Sequence, residues 1–268
     1  MNEPVIRLAA FAGVLLVLIG WELVSPRRAR PVTRRARWPG NLAVVGLNTV
    51  LARLLLPLGA AGAALWAEEA GVGLFNVVPA PAWAAFGFSI LLLDLAIYGQ
   101  HVAFHRVPAL WRLHRVHHAD LDVDATTGVR FHPGEIVLSM VIKAVLVVAM
   151  GAPALAVIVF EVVLNATSMF NHANVAIPVG LDRALRTVLV TPDMHRIHHS
   201  VRPEETDSNF GFNVPWWDRL FRTYRAEPKD GQLGMTLGLS QFRDPGLLRL
   251  DRMLLMPLMA PVLRRPAA

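Results

Sequence analysis

The sequence predicts an all-α fold: a polytopic membrane helical bundle of about three spans plus a helical hairpin, with a cytoplasmic helical cap carrying clusters of histidine. Three observations predict it. Apolar residues make up 54% of the 268 with glycine left out, and charged residues only 17%; a soluble domain is nearer about 45–50% apolar with glycine included and about 25% charged. Uncharged runs close to the length of a bilayer crossing recur along the chain. Ten histidines and no cysteine are present, and the histidines crowd between residues 101 and 199. This composition excludes a disordered chain, a coiled coil, a disulfide scaffold and any thiolate metal site. The net charge of +6 does not imply nucleic acid as a partner, because the arginines flank apolar runs, where membrane topology accounts for them.

Residues 1–100 carry the first spans. The run 8–21 has the length of a signal-peptide core, but its n-region is weak and no small-residue cleavage site follows Trp21, so a retained helix is expected. Arg27, Arg28, Arg30, Arg34, Arg35 and Arg37 follow, which marks that loop as cytoplasmic by the positive-inside rule. A second span is expected over roughly 41–67, interrupted only by Arg53. The acidic loop at Glu68 and Glu69 then lies outside, and a third span over about 80–100, charged only at Asp94, returns to the cytoplasm.

Residues 101–135 form the first histidine region. The apolar stretch 136–171 is too long for one span, and Gly151, Ala152 and Pro153 near its middle suit the turn of a hairpin. Residues 172–250 are polar and read as a cytoplasmic cap. The tail, 251–268, reads as interfacial: Leu247, Leu248, Leu250, Met253, Leu254, Leu255 and Met256 stand amid arginines, so an interfacial helix is expected over 246–263, while Pro257 and Pro261 argue against a span. This topology, set by arginines and run lengths, puts every histidine on the cytoplasmic side or at its boundary.

Eight histidines fall into three clusters: His101 and His105 as H-x-x-x-H, and His114, His117, His118 and His195, His198, His199 as two H-x-x-H-H boxes. Residues three and four apart share a helix face, so each cluster aims its rings one way. Thr191 suits an N-cap and Pro192 the first helical position before the third cluster. Asp94, Tyr98, His101 and His105 form one stripe of the third span. Asp94 is read as an outer acceptor for a metal-bound imidazole, or else as a helix–helix contact with Arg53. One metal takes at most six ligands, so this many imidazoles imply two. H-E-x-x-H and E-x-x-H are absent, as are flavin and nicotinamide fingerprints; Gly71-x-Gly73 lacks the rest of that pattern.

At these residues the sequence resembles the fatty acid hydroxylase superfamily, also called the sterol desaturase family, from about Asp94 to Tyr224. Besides the boxes it has Thr127-Gly128, Arg130-Phe131-His132-Pro133-Gly134-Glu135, Phe170-Asn171-His172-Ala173-Asn174, Asp207-Ser208-Asn209-Phe210-Gly211 and Trp217 to Tyr224. The resemblance implies an integral-membrane di-iron oxygenase that uses O₂ and two electrons to hydroxylate or desaturate a C–H bond of a fatty acyl, sterol or isoprenoid-type lipid. It implies two Fe ions held by His101, His105, His114, His117, His118, His195, His198 and His199. His172 stands where the family supplies a further ligand, and His132 is placed with the ligands, with a supporting duty as its alternative. Asp207 and Asn209 are expected behind the ligands or as groups that stabilise the cap, and Trp217 to Tyr224 is expected to dock the cap. No catalytic residue beyond the metal centre is assigned.

Electrons would come from a separate ferredoxin- or cytochrome-type carrier with its reductase; Arg202, Arg219, Arg222 and Arg225 read either as its docking face or as a solvated or lipid-headgroup face. The scarcity of lysine and the wealth of Arg, Ala and Pro fit a bacterial inner membrane. A resemblance to carotene hydroxylases in two boxes leaves the substrate open. A zinc hydrolase-like membrane enzyme and a catalytically inactive metal- or lipid-binding relative are the alternative classes.

Overall fold

Apolar chain in a bilayer must satisfy its peptide groups internally, which favours helices. The computed structural model, which describes residues 3–260, has only helices and two isolated bridges among the described residues. Five helical stretches are long and apolar enough to cross a membrane, as an integral membrane protein requires: Val5–Val24, Arg34–Val77, Ala82–Arg106, Pro133–Met150 and Ala154–His172.

The first is α1 (Glu3–Val24). The second corrects the sequence reading, because it is not one continuous span over 41–67. It breaks into α2 (Arg34–Leu55), α3 (Gly59–Glu69) and the single turn α4 (Leu74–Val77). Pro57 lacks the N–H that would continue α2, and Leu56 leaves helical geometry at φ −133°, ψ 64°. Next come α5 (Ala82–Arg106) and α6 (Pro108–His118), separated at Val107 by the Pro108 ring. Then α7 (Pro133–Met150) and α8 (Ala154–His172) make the expected hairpin, turned by Gly151 at φ 62°, ψ 42°, a left-handed cap that glycine adopts without steric cost. A Cβ on Gly73 would fall 2.3 Å from the Gly151 nitrogen, so the loop before α4 and the hairpin turn meet at one end of the bundle.

The histidines lie at the other end, under α9 (Val179–Leu185), α10 (Pro192–His198), α11 (Pro203–Thr206), α12 (Trp216–Leu220), α13 (Gly231–Gly234) and α14 (Leu250–Leu255). The arginine-rich loop sits on this same end, tied into the cap. Arg27 pairs with Asp193, Arg28 donates to the carbonyls of Gln232 and Met235, and Arg30 and Arg34 share Glu22. Arg37, fully buried, holds Asp120 and Asp124 at 2.7 Å.

The tail differs from the interfacial helix expected. Only the turn and a half of α14 is α-helical, between short 3₁₀ pieces, and Met253 and Met256 are fully buried against Val44 of α2 and Val116 of α6 rather than facing lipid. Pro261 and the end of that expected helix lie outside the described residues. In the cap, Arg202 pairs with Asp230, and Arg219 donates to the Arg186 carbonyl and lies over the Tyr224 ring, so half of the expected docking face is occupied within the chain.

Candidate metal centre

Four helices deliver nine histidines to one buried place. The end of α5 brings His101 and His105; α6 brings His114, His117 and His118; the last residue of α8 is His172; and α10 with its C-cap brings His195, His198 and His199. Local sequence builds these supports. Pro108 starts α6, and on α10 the Thr191 hydroxyl accepts from the Met194 N–H with Pro192 at the first helical position, as their types predict. The imidazole nitrogens converge in two adjacent groups, His101, His105, His114, His118 and His198 in one and His117, His172, His195 and His199 in the other, each within 4.8 Å. All nine are buried. Neither H-x-x-H-H box stays together: His114 and His118 join the first group and His117 the second, while His198 joins the first and His195 and His199 the second. Adjacent helix positions fan about 100° apart, so one short helix can serve two neighbouring centres.

The tautomers are set by what lies behind the rings. His117 Nδ1 faces the Arg130 carbonyl at 3.3 Å and His172 Nδ1 the Ser168 carbonyl at 2.6 Å. A carbonyl can only accept, so each Nδ1 carries the proton and each Nε2 presents a lone pair. Those two Nε2 atoms stand 3.0 Å apart, and His199 Nε2 is also 3.0 Å from His172 Nε2. Facing lone pairs repel, and protonating the rings is no remedy: burial pushes His117, His118, His195, His198 and His199 well below the usual imidazole range, and His114 to about 3. Both nitrogens of His195 and Nε2 of His198 are buried without a hydrogen-bond partner. A cation between the rings resolves all of this. Nitrogens about 3 Å apart also match neighbouring corners of an octahedron with metal–imidazole bonds of about 2.1 Å. The residues therefore fit a pair of metal ions, with donors that suit iron, zinc, copper or nickel.

Behind the first group, Nδ1 of His101 and of His198 face the carbonyls of Phe210 and Ser208 at 2.7 Å, His114 Nδ1 meets Glu135 Oε1 at 2.7 Å, and His105 Nδ1 meets Asp207 Oδ1 at 3.2 Å. Asp207 thus stands directly behind His105. Asn209 touches no histidine; its amide donates to the Met194 and Arg225 carbonyls and fastens α10 from behind.

Two further readings are corrected. His132 does not join either group. It is the N-cap of α7, its Nδ1 accepting from the Gly134 N–H while Nε2 faces the Leu254 carbonyl, because the residue before Pro133 sits where the first N–H groups of the helix need an acceptor. Asp94 reaches neither a histidine nor an ion pair with Arg53. Its Oδ2 accepts from the Trp217 indole at 2.7 Å, and one turn on, the Tyr98 hydroxyl bonds Thr223 and its ring stacks on Phe221. One stripe of α5 therefore docks the 217–223 segment with its first half and presents imidazoles with its second.

Several supporting residues escaped sequence reasoning. Glu135 stood inside a quoted motif without a role. Asp218 accepts from the N–H groups of Phe210 and Gly211, which positions the carbonyls that orient His101 and His198. Asp120 accepts from Arg37, Asn41 and Thr127. Burial opposes its ionisation, but Arg37 and Arg130 outweigh that and hold its carboxyl at about 2. An acid two residues after a histidine box was a weak signal for it.

A cavity of about 650 Å³ opens beside the centre, within the range of ligand sites. Among its lining residues the histidines are His101 and His114, with Phe104, Phe131, Met169 and Phe212 around them. The first group faces this space, and the second is sealed behind it.

The model of the fatty acid hydroxylase family matches residues 86–223, just over half of the chain. The chain is 26% identical over 140 residues to the ornithine lipid hydroxylase OlsE of Rhizobium tropici, covering 52% of this chain and 41% of that protein. It is 26% identical over 172 residues to the alkylglycerol monooxygenase of Homo sapiens (63% and 37%), and 30% identical over 148 residues to the cholesterol 25-hydroxylase of Rattus norvegicus (54% and 48%). The matches thus span under half the length of these relatives. No solved structure matches the chain.

Proposed function

Since the chain belongs to the fatty acid hydroxylase family, we propose that it is a membrane-embedded di-iron oxygenase that hydroxylates or desaturates a C–H bond of a lipid. The observation that carries this reading is the pair of adjacent buried imidazole groups, five and four strong, whose facing lone pairs need cations, with a mostly apolar cavity against the first group. Nine nitrogen donors exceed the four of a structural zinc site. The three relatives named above are lipid hydroxylases or monooxygenases by name, which favours oxygen chemistry over hydrolysis.

When bound, the two irons would supply O₂ activation and abstraction of hydrogen from an unactivated carbon. Hydroxylation consumes R–H, O₂, two electrons and two protons and yields R–OH and water; desaturation removes a second hydrogen from the neighbouring carbon and yields a second water in place of the alcohol. The chain's own residues do the rest. His101, His105, His114, His118 and His198 would hold one ion, and His117, His172, His195 and His199 the other. Glu135, Asp207 and the carbonyls of Ser208 and Phe210 keep protons on Nδ1, so that Nε2 remains free to bind. Phe104, Phe131, Met169 and Phe212 exclude water and position a chain beside His101 and His114. A lipid enters this space from the bilayer without crossing water. Two electrons come from a separate carrier, and the centre faces the cytoplasm of a bacterial inner membrane, on the side of the arginine-rich loop.

The test is lipid mass spectrometry of a host expressing the wild type or His117→Ala, with metal analysis of untagged protein. A lipid that gains one oxygen or loses two hydrogens only with the wild type, and iron in the purified protein, are the expected results. Zinc with O₂-independent turnover would instead support a hydrolase, and lipid turnover undiminished in His117→Ala would overturn the assignment of the centre.

A further inference from the structure

The cavity has a second chemistry at the end away from the histidines. Four of the helices that wall it each place one charged side chain there: Arg7 of α1, Arg53 of α2, Lys143 of α7 and Glu161 of α8. Arg7 and Lys143 both turn on the Glu161 carboxylate. Arg53 also lines this space; it is exposed and has no acidic partner among the described residues. The group carries three cations to one carboxylate, and Lys143 and Glu161 lie well inside their helices, where ionisable residues are costly in a membrane span and mark a functional site by default. Helix–helix glue explains Arg7, Lys143 and Glu161, which tie α1 and α7 to α8. It does not extend to Arg53, which lines the cavity from an exposed position in the last turn of α2.

The distance to the centre follows from helix rise. Glu135, bonded to His114, and Lys143 are eight residues apart on α7, or about 12 Å; His172 and Glu161 are eleven apart on α8, or about 16 Å. Between the two ends lie Ile97, Phe104, Ile136, Met140, Leu164 and Met169, with Gln100 bonded to Ser139 among them, a mostly apolar channel with a cationic end and a histidine end.

We propose that the cationic end binds the anionic head, carboxylate or phosphate, of the lipid substrate, with Arg53 and Lys143 as its partners. This inference rests on the lipid-oxygenase reading and deepens it. The substrate is an anionic single-chain lipid or one chain of an anionic phospholipid, oxidised well down the chain from its head.

The test uses the full chain, metal-loaded and purified in neutral detergent, with hexadecanoate, hexadecyl phosphate and hexadecanol as probes in a displacement assay. Both anions should bind at least about ten-fold more tightly than the alcohol, and whichever of the two binds better identifies the head group. Arg53→Gln should remove most of that preference while leaving the affinity for hexadecanol, the melting temperature and the metal content in place; Arg53→Lys should restore part of it. Should Arg53→Gln fail to fold, Lys143→Gln and the wild-type preference decide alone. Equal binding of alcohol and anions by the wild type, or an anion preference untouched in Arg53→Gln, overturns the inference. Oxidised lipid without anion preference would sink this inference and spare the oxygenase reading; Arg53-dependent anion preference with no oxidised lipid would do the reverse.

Discussion

Glu135 offers the sharpest test of how the centre is supported. Its Oε1 lies 2.7 Å from His114 Nδ1, both side chains are buried, and it touches only the five-histidine group. A hydrogen bond to a carboxylate is worth about 1.5–3 kcal/mol and a neutral one about 0.5–1.5. Glu135→Gln keeps an acceptor but gives up the charge, a loss of about 1–1.5 kcal/mol, which corresponds to roughly a ten-fold drop in metal affinity at that group. Glu135→Leu removes the acceptor, leaves His114 Nδ1–H buried and unsatisfied, and should cost about 10–100-fold, the usual range when a partner behind a metal-bound histidine is deleted. The second group has its own supports, the Arg130 and Ser168 carbonyls behind His117 and His172, and should be spared. The assay is metal retained per chain after gel filtration, with release to a chelator followed in time. Wild type should hold two ions and Glu135→Leu close to one, with one release phase accelerated and the other unchanged. Two ions released at wild-type rates, or equal loss from both groups, would refute the claim that Glu135 supports one group alone.

Two other predictions concern residues away from the ion pair. His132→Ala should keep both metals, because its ring caps α7, and should lower stability by about 1 kcal/mol, the usual cost of a lost N-cap; metal content together with a melt in detergent checks both halves. Burial pushes the Asp122 carboxyl up to about 6 from 3.8, despite Arg37. A folded value above the unfolded one means that stability falls as pH rises from about 4 through 6 and stays low above, a difference of roughly 3 kcal/mol at full size. Asp122→Asn should abolish that fall, so the variant should be more stable than wild type at pH 7–8 and equal to it near pH 4. A difference between the two melts that does not change with pH would contradict this.

Much of the site was legible because helical spacing is local. The stripe on α5, the boxes on α6 and α10, the Thr191-Pro192 start and the Gly151 turn each need only a few consecutive residues. What stayed hidden depends on partners far away in sequence. Asp94 is expected behind an imidazole or against Arg53, yet its partner Trp217 lies 123 positions on, and no periodicity points there. The division of each box between two groups depends on where α8 delivers His172 and where α10 crosses α6. Those are packing facts, not propensities.

His132 is the instructive exception, since its role was readable. His132-Pro133 repeats the grammar of Thr191-Pro192: a residue with a side-chain acceptor, then proline opening a helix. The spacing that makes Thr191 a cap makes His132 one as well, although the density of histidine around it imitates a ligand set. The arginine loop shows a related ambiguity. Its basic residues are a topological signal in the sequence, and they do lie at the histidine end, but Arg27 and Arg28 are bound into the cap, Arg37 to the loop after α6, and Arg30 and Arg34 to Glu22 in the last turn of α1. Charge that orients a span and charge that fastens a cap select the same residue type at the same membrane face. The Arg37 pairs separate the two uses, since a buried guanidinium holding Asp120 and Asp124 joins α2 to the loop after α6, a task that loose loop charge does not perform.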